Sequence, residues 1–260
     1  MIKAIFFDID GTLLSFKTHE VPKSTQQAFQ LLKEKDIKVF VSTGRSFNQL
    51  GHIRYLDFDG YITFNGGYCV TKEHQVIYKN NISQKDIRSL LDYAKQHKGL
   101  TFSFMSEQEI SLNQVTPEVL RMYQQVNVPT PPLRDYEKDF DLDSVMQVNV
   151  FISPEEETQF MENVMTSSVA SRWTPIFADI NPMGQSKKIG IDVFLNHYNI
   201  PLEETMSFGD GGNDITMLAH TRIGIAMGNA NPEVKEIADY ITDSVDDDGI
   251  WNALKHFNVI

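Results

Sequence analysis

A chain of 260 residues that is 41% hydrophobic and 22% charged can bury one large or two moderate cores, and this composition excludes a long disordered tract. A formal charge of −12 excludes a surface built to grip nucleic acid or an anionic membrane, where clustered Lys and Arg must neutralise phosphate. The single cysteine, Cys69, excludes an intramolecular disulfide and fits a cytoplasmic setting, and no apolar run reaches the length of a signal-peptide core or a membrane span.

In chain order, residues 4–7 form a short, continuously apolar run, the mark of a strand buried on both faces of a parallel sheet, and the run stops at Asp8. Because side chains alternate along a strand, Asp8 and Asp10 leave its carboxyl end on the same side, where open α/β sheets bind ligands; Gly11 and Thr12 make the turn. Two carboxylates aimed into one crevice need a positive partner. A helix follows, with Pro22 before it, Ser24 and Gln27 at capping-box spacing, and Ala28, Leu31 and Leu32 on one face. Residues 37–42 read as a second buried strand ending in Thr43-Gly44-Arg45, and residues 61–64 as a third ending in Asn65-Gly66-Gly67. Three successive strands that end in polar or glycine-rich turns are what a ligand crevice requires.

Beyond a hairpin of residues 68–70 against 76–78, the pattern changes. Ser83 opens an amphipathic helix carrying Ile87, Leu90, Leu91 and Ala94, and residues 101–104, 110–112 and 146–152 alternate as half-exposed strands do. With helices at 117–126 and 155–165, and a Pro- and Asp-rich loop at 127–143, this predicts an α+β domain of residues 82–184 inserted into a core of residues 1–81 plus 185–260. The buried pattern then returns: a helix at 188–198, a strand at 205–208 running into Gly209-Asp210-Gly211-Gly212-Asn213-Asp214, short strands at 223–227 and 240–242, and a closing helix at 250–257. Asp246, Asp247 and Asp248 read as a solvated turn before that helix.

Together, DIDGT at 8–12, STGR at 42–45, Lys187 and GDGGND at 209–214 resemble the four motifs of the haloacid dehalogenase (HAD) superfamily. The insert between the second and third motifs, with the NGG after the third strand, resembles the Cof-type sugar-phosphatase subgroup with a C2-type cap. The resemblance spans nearly the whole chain and implies an α/β fold: a Rossmann-like parallel-sheet core with an inserted α+β cap domain. One departure is the reading Ser186-Lys187-Lys188-Ile189-Gly190, where the subgroup carries one lysine directly before glycine; distance to the GD motif favours Lys187 and leaves Lys188 as the alternative.

The resemblance further implies Mg²⁺-dependent hydrolysis of a small phosphorylated metabolite, a phosphate monoester of the sugar-phosphate kind. Asp8 would be the nucleophile that becomes an aspartyl-phosphate, and Asp10 the general acid and base, kept protonated by neighbouring carboxylates. The metal would be held by Asp8, the backbone carbonyl of Asp10 and Asp210, with Asp214 acting through water or by orientation. Thr43, Gly44 and Asn213 would bind the phosphoryl oxygens, Lys187 would screen charge, and Arg45 and Asn65 would touch the substrate. The cap would select the leaving group, with residues 103–109 and 172–177 as candidates and hinges near 80–81 and 182–185. A phosphotransferase of phosphomannomutase type and a non-enzymatic phospho-aspartate switch are the alternatives. Neither nucleic acid nor membrane is an expected partner, and a monomer is compatible with the pattern.

Overall fold

All four positions of Ala4–Phe7 (β1) are buried, as a strand flanked on both edges and covered on both faces must be. The computed structural model, which describes residues 1–51, 53–125, 129–138, 140–172 and 174–260, gives β1 two parallel neighbours. They are Lys38–Ser42 (β2) on one side and Thr205–Gly209, the eleventh strand, on the other. The chain divides into two compact units, one made of residues 1–79 and 186–260, the other of residues 80–185.

The first unit holds an eight-stranded sheet. Its strands are β1, β2, Gly60–Thr63 (β3), the hairpin Tyr68–Thr71 (β4) and Val76–Lys79 (β5), and, from the last part of the chain, β11, Ile223–Ala226 (β12) and Tyr240–Ile241 (β13). The order is β13-β12-β11-β1-β2-β3-β4-β5, parallel from β13 to β3 and antiparallel through β4 and β5. Helix Lys23–Glu34 (α1) buries Ala28, Phe29 and Leu32 against one face together with Ile5, Phe7 and Phe208. Helix Lys187–Tyr198 (α5) buries Ile191 and Phe194 with Phe6 and Phe40 on the other. Three short helices, Ile215–Leu218 (α6), Pro232–Ile237 (α7) and Gly249–His256 (α8), complete this α/β unit.

Two local expectations fail here. The capping box at Ser24 is absent: α1 begins at Lys23 with Pro22 as its cap, and the Ser24 hydroxyl donates instead to Asp248. The third strand ends at Thr63, because Phe64 and Asn65 turn into the left-handed region with φ of 50° and 52°.

The second unit is α+β. Helix Gln84–Gln96 (α2) is capped by Ser83, whose hydroxyl accepts from the Asp86 amide, and Pro154–Asn163 (α4) carries a Ser153/Glu156 capping box. Helix Pro117–Gln125 (α3) follows, and Val126, Asn127, Val128 and Asp139 of the expected helix end and loop lie outside the described residues. The sheet comprises Thr101–Met105 (β6), Ile110–Leu112 (β7), Gln147–Phe151 (β8), Ser168–Ser171 (β9) and Ala178–Pro182 (β10), antiparallel in the order β7-β6-β8-β10-β9. Phe102, Phe104, Val148, Val150, Ala178 and Ile180 line the face that packs with α2 and α4. Alternation predicts that the opposite face meets water. It does not: Thr101, Ser103, Gln147 and Asn149 are also buried. Period-two patterning reports which side chains share a face, not whether that face is solvated.

Candidate active site

Because β1 and β11 pair from Ala4↔Thr205 to Phe7↔Phe208, the residues that follow them emerge side by side, and the Asp8 amide extends the ladder by donating to the Phe208 carbonyl at 3.0 Å. Asp8, Asp210 and Asp214 each bring one carboxylate oxygen within 4.8 Å of the others, and all three residues are buried. The fully buried Lys187 donates from Nζ to Oδ1 of Asp8 and to Oδ1 of Asp214, each at 2.5 Å. Asp214 uses its other oxygen to accept from the amides of Asp210 and Gly211, each at 2.9 Å, which ties the loop after β11 into place. Thr12 donates its hydroxyl to Oδ1 of Asp210 at 2.8 Å.

Two glycines make this convergence possible. Gly66, at φ +98°, lets the Ser186 carbonyl pass where a Cβ would lie 2.0 Å away, so the turn after β3 sets where α5 starts and hence where Lys187 sits. Gly11, at φ +87°, lets Oδ2 of Asp210 come close to the loop after β1, where a Cβ would lie 2.2 Å from it. Lys188, the alternative lysine, is exposed.

The electrostatics follow from burial. Burial raises the Asp8 carboxyl well above the usual carboxylate range; Asp214 pushes the same way, Lys187 opposes, and Asp210 and Asp10 add to the rise. Burial likewise pushes Asp210 up to about 7, held down by the Thr12 hydrogen bond and raised by Asp214. Burial works against the charge of Lys187, but Asp214 and Asp8 keep its pKa above the ordinary lysine value. Three carboxylates against one ammonium leave two negative charges when all are ionised. At about 4 Å and an effective dielectric near 20, each like-charge pair repels by roughly 4 kcal/mol. An all-oxygen donor set with that excess fits a hard divalent cation.

Asp10 is placed differently. Its carboxylate is gripped by Arg45, Nε donating to Oδ2 at 2.8 Å and Nη2 to Oδ1 at 2.6 Å, so a guanidinium holds it directly while it still acts on the carboxylates of Asp8 and Asp210. Its side chain is therefore not among the three metal-competent carboxylates. Thr43, Gly44 and Asn213 are joined through Asn65. The Asn65 amide donates to the Thr43 carbonyl at 2.9 Å, its side-chain carbonyl accepts from Asn213 at 3.0 Å, and a Cβ on Gly44 would touch its side chain at 3.2 Å. Thr43 also accepts from the Arg45 amide at 3.1 Å.

Sequence reasoning gave Thr12 only a place in the turn and the motif, and missed Asn229. The Asn229 side chain donates to the Gly11 carbonyl at 2.8 Å and accepts from the Val245 amide at 2.9 Å, bracing the loop after β1. Its signal was available, since a polar residue soon after the buried strand β12 repeats the pattern seen after β1, β2 and β11. Asp246 and Asp248 are more than a solvated turn, bonding Ser15 and Lys17 and Ser24 respectively. In the second unit, Arg172 is committed to Glu157 and to the carbonyls of Ile152 and Ser153, Glu109 pairs with Arg134, and Trp173 lies outside the described residues. Among the described residues no helix is long and apolar enough to cross a membrane.

Residues 5–254 match the model of a family described as haloacid dehalogenase-like hydrolase. The fold superposes on BT1666 of Bacteroides thetaiotaomicron, from a study of phosphatases of the HAD superfamily, with a TM-score of 0.93, 38% identity, and coverage of 100% of this chain and 96% of that one. The HAD subclass IIB sugar phosphatase BT4131 gives a TM-score of 0.86 and 43% identity over 99% of this chain and all of that one. A structure from work on a trigonal-bipyramidal intermediate in a phosphoryl-transfer superfamily gives 0.87 and 42%, with both chains covered in full.

Proposed function

We propose that this chain, which belongs to the haloacid dehalogenase-like hydrolase family and is a phosphoric monoester hydrolase, is a cytoplasmic, Mg²⁺-dependent phosphatase of sugar phosphates that works through an aspartyl-phosphate on Asp8. The observation that carries this reading is the buried Asp8, held by Lys187 at 2.5 Å and grouped with Asp210 and Asp214. Lys187 occupies Oδ1 of Asp8, and Oδ2 has no hydrogen-bond donor among the described residues, which leaves one oxygen for attack.

In this reading Asp8 Oδ2 forms a bond to phosphorus as the ester P–O bond breaks in line, and the departing alkoxide takes a proton from Asp10. Asp10 then receives a proton from water as that water attacks the phosphorus of the aspartyl-phosphate, releasing inorganic phosphate and restoring Asp8. Arg45 fixes the direction of the Asp10 carboxyl through its fork, and Thr43, Gly44 and Asn213 offer donors for the phosphoryl oxygens. Lys187 lowers the repulsion between an anionic nucleophile and an anionic ester. Asp8 and Asp210, with the Asp10 carbonyl, would hold Mg²⁺, and Asp214 would orient them. Bound there, the ion would supply charge neutralisation for the transferring phosphoryl group. The sugar-phosphate preference comes from the likeness to the subclass IIB sugar phosphatase, with the second unit as the part that selects the leaving group.

Phosphate release from a panel of hexose and pentose phosphates, with Mg²⁺ and with chelator, tests the reading. Metal-dependent release that is abolished in a folded Asp8→Asn protein is expected. Undiminished turnover by that variant overturns the covalent mechanism.

A further inference from the structure

The turn that joins β12 to α7 touches both acidic loops of the charged cluster. Within it, the Asn229 amide donates to the Gly11 carbonyl in the loop after β1 at 2.8 Å and lies 3.5 Å from Oδ2 of Asp210 in the loop after β11. Its side-chain oxygen accepts from the Val245 amide at 2.9 Å, and the Asn231 amide donates to the Asp210 carbonyl at 3.1 Å. With the Thr12 hydroxyl on Oδ1, Asp210 therefore has a donor at one oxygen and an amide beside the other. An asparagine suits this position because its side chain carries both a donor and an acceptor.

What Asn229 holds is the most adaptable point of the site. Gly11 sits at φ +87° with no side chain to restrict it. The trans peptide before it is fixed by the Gly11 amide, which donates to the Leu14 carbonyl at 2.9 Å and so aims the Asp10 carbonyl the opposite way. The peptide after it depends on Asn229 and on a longer bond from the Thr12 amide to the Ile9 carbonyl at 3.3 Å. Rotation at Gly11 thus moves the Asp10 carbonyl relative to Asp8 and Asp210 unless the Asn229 amide stays in place.

We propose that Asn229 is a positioning residue that holds the two acidic loops at the geometry a small divalent cation needs, and that it thereby sets a preference for Mg²⁺ over Ca²⁺. This rests on the Mg²⁺ reading above, in which Asp8, the Asp10 carbonyl and Asp210 are the ligands. Mg²⁺ demands near-ideal octahedral geometry with oxygens about 2.0–2.1 Å away, whereas Ca²⁺ accepts about six to eight oxygens at about 2.3–2.6 Å in flexible arrangements. A loosened Gly11 therefore weakens Mg²⁺ more than Ca²⁺. Removing the partner of a metal ligand typically changes affinity by about 10–100-fold. A second clasp gives the comparison: the buried Ser15 hydroxyl donates to Asp246 at 2.6 Å and ties the loop after β1 to the segment before α8 without touching Gly11.

Isothermal titration calorimetry with Mg²⁺ and with Ca²⁺ tests this without turnover, on wild type, Asn229→Ala and Ser15→Ala, each confirmed folded by its thermal transition. Asn229→Ala should raise Kd for Mg²⁺ about tenfold and Kd for Ca²⁺ less than about threefold, while Ser15→Ala leaves the ratio of the two unchanged. Unchanged affinities in folded Asn229→Ala, or equal weakening for both ions, overturn the proposal and leave the Mg²⁺ reading intact. The same change of ratio in Ser15→Ala also overturns it, since general loosening of the loop then explains the effect. A wild type that binds neither ion overturns the Mg²⁺ reading itself and the proposal with it. In the wild-type protein the side-chain amide resonance of Asn229 should shift on saturation with Mg²⁺. Binding of Mg²⁺ with no such shift overturns the proposal even where Asn229→Ala does not fold.

Discussion

The two sheets of this protein handle polar side chains in opposite ways. In the first unit β1 is apolar along its length and β2 and β11 are mostly so, and the charged and polar cluster lies just past their carboxyl ends, as at Asp8, Thr43 and Asp210. In the second unit polar residues occupy every other position within the strands, as at Ser103, Gln147, Asn149 and Asp179. The first arrangement gathers full charges and answers them with a buried ammonium; the second gathers neutral amides around one carboxyl, with no cation paired to it among the described residues. Strand ends can thus concentrate charge because their backbone amides and helix starts are available to stabilise it, whereas a sheet face offers only other side chains.

Breaking the charged cluster should give the largest effects. Asp8→Asn is nearly isosteric, so the folded protein should keep its thermal transition while kcat falls on the order of 10³-fold or more, measured by phosphate release. Next comes Lys187→Ala, which strands two buried carboxylates and should lower the unfolding free energy by about 3–5 kcal/mol in urea titrations. Lys188→Ala, on an exposed side chain, should stay within ~0.5 kcal/mol, and the reverse order would place the wrong lysine in the cluster.

The cation sharpens the comparison through pH. Asp8 and Asp210 have folded-state pKa values raised above the unfolded value near 3.9, Asp210 to about 7. Without metal, the contribution of Asp210 to stability is therefore fully present below about pH 4 and is lost as pH rises through about 7, and that of Asp8 changes in the same direction. Mg²⁺ held as proposed would bind the ionised forms, so the stabilisation it confers should grow over that same window. At a free concentration of one hundred times Kd it reaches about 2.7 kcal/mol. Thermal scans with Mg²⁺ and with chelator at several pH values check this; a gain that shrinks as pH rises is incompatible with the assigned ligands.

The neutral network should respond with the same sign and a smaller amplitude, since one carboxyl is involved. Asp179 contributes stability that is lost as pH rises through about 7, and Asp179→Asn should flatten that part of the profile. Smallest of all, Ser24→Ala removes an exposed hydrogen bond to Asp248 and should change stability by less than ~0.5 kcal/mol.

How much of this was legible in the sequence follows from the same contrast. Buried parallel strands announce themselves as apolar runs, and a run that stops at Asp8 or Gly209 also announces the site, so β1, β2, β11 and the carboxylates could be read directly. The polar sheet face could not, because TFSFM and QVNVF carry the same alternation whether their polar side meets water or is buried. Strands β9 and β10 gave weak signals, since SVAS alternates little and ADINP ends in proline. The pairing of Asp10 with Arg45 joins residues from two different strand ends, and no local pattern encodes which of several neighbouring charges a side chain will choose.

Strand β1 lies between β2 and β11, and those two neighbours are made at very different moments of translation. β2 leaves the ribosome soon after β1, but β11 follows only once the whole of residues 80–185 has been synthesised. During that interval, at about 5–20 residues per second, β1 presents an open apolar edge, and Asp8 lacks both Lys187 and Asp214. The second unit is contiguous in sequence and can close its own sheet while the first waits. The nascent chain's need for chaperones should accordingly be greatest between the completion of β10 and the arrival of β11, a vulnerability written into strand order rather than into any one residue.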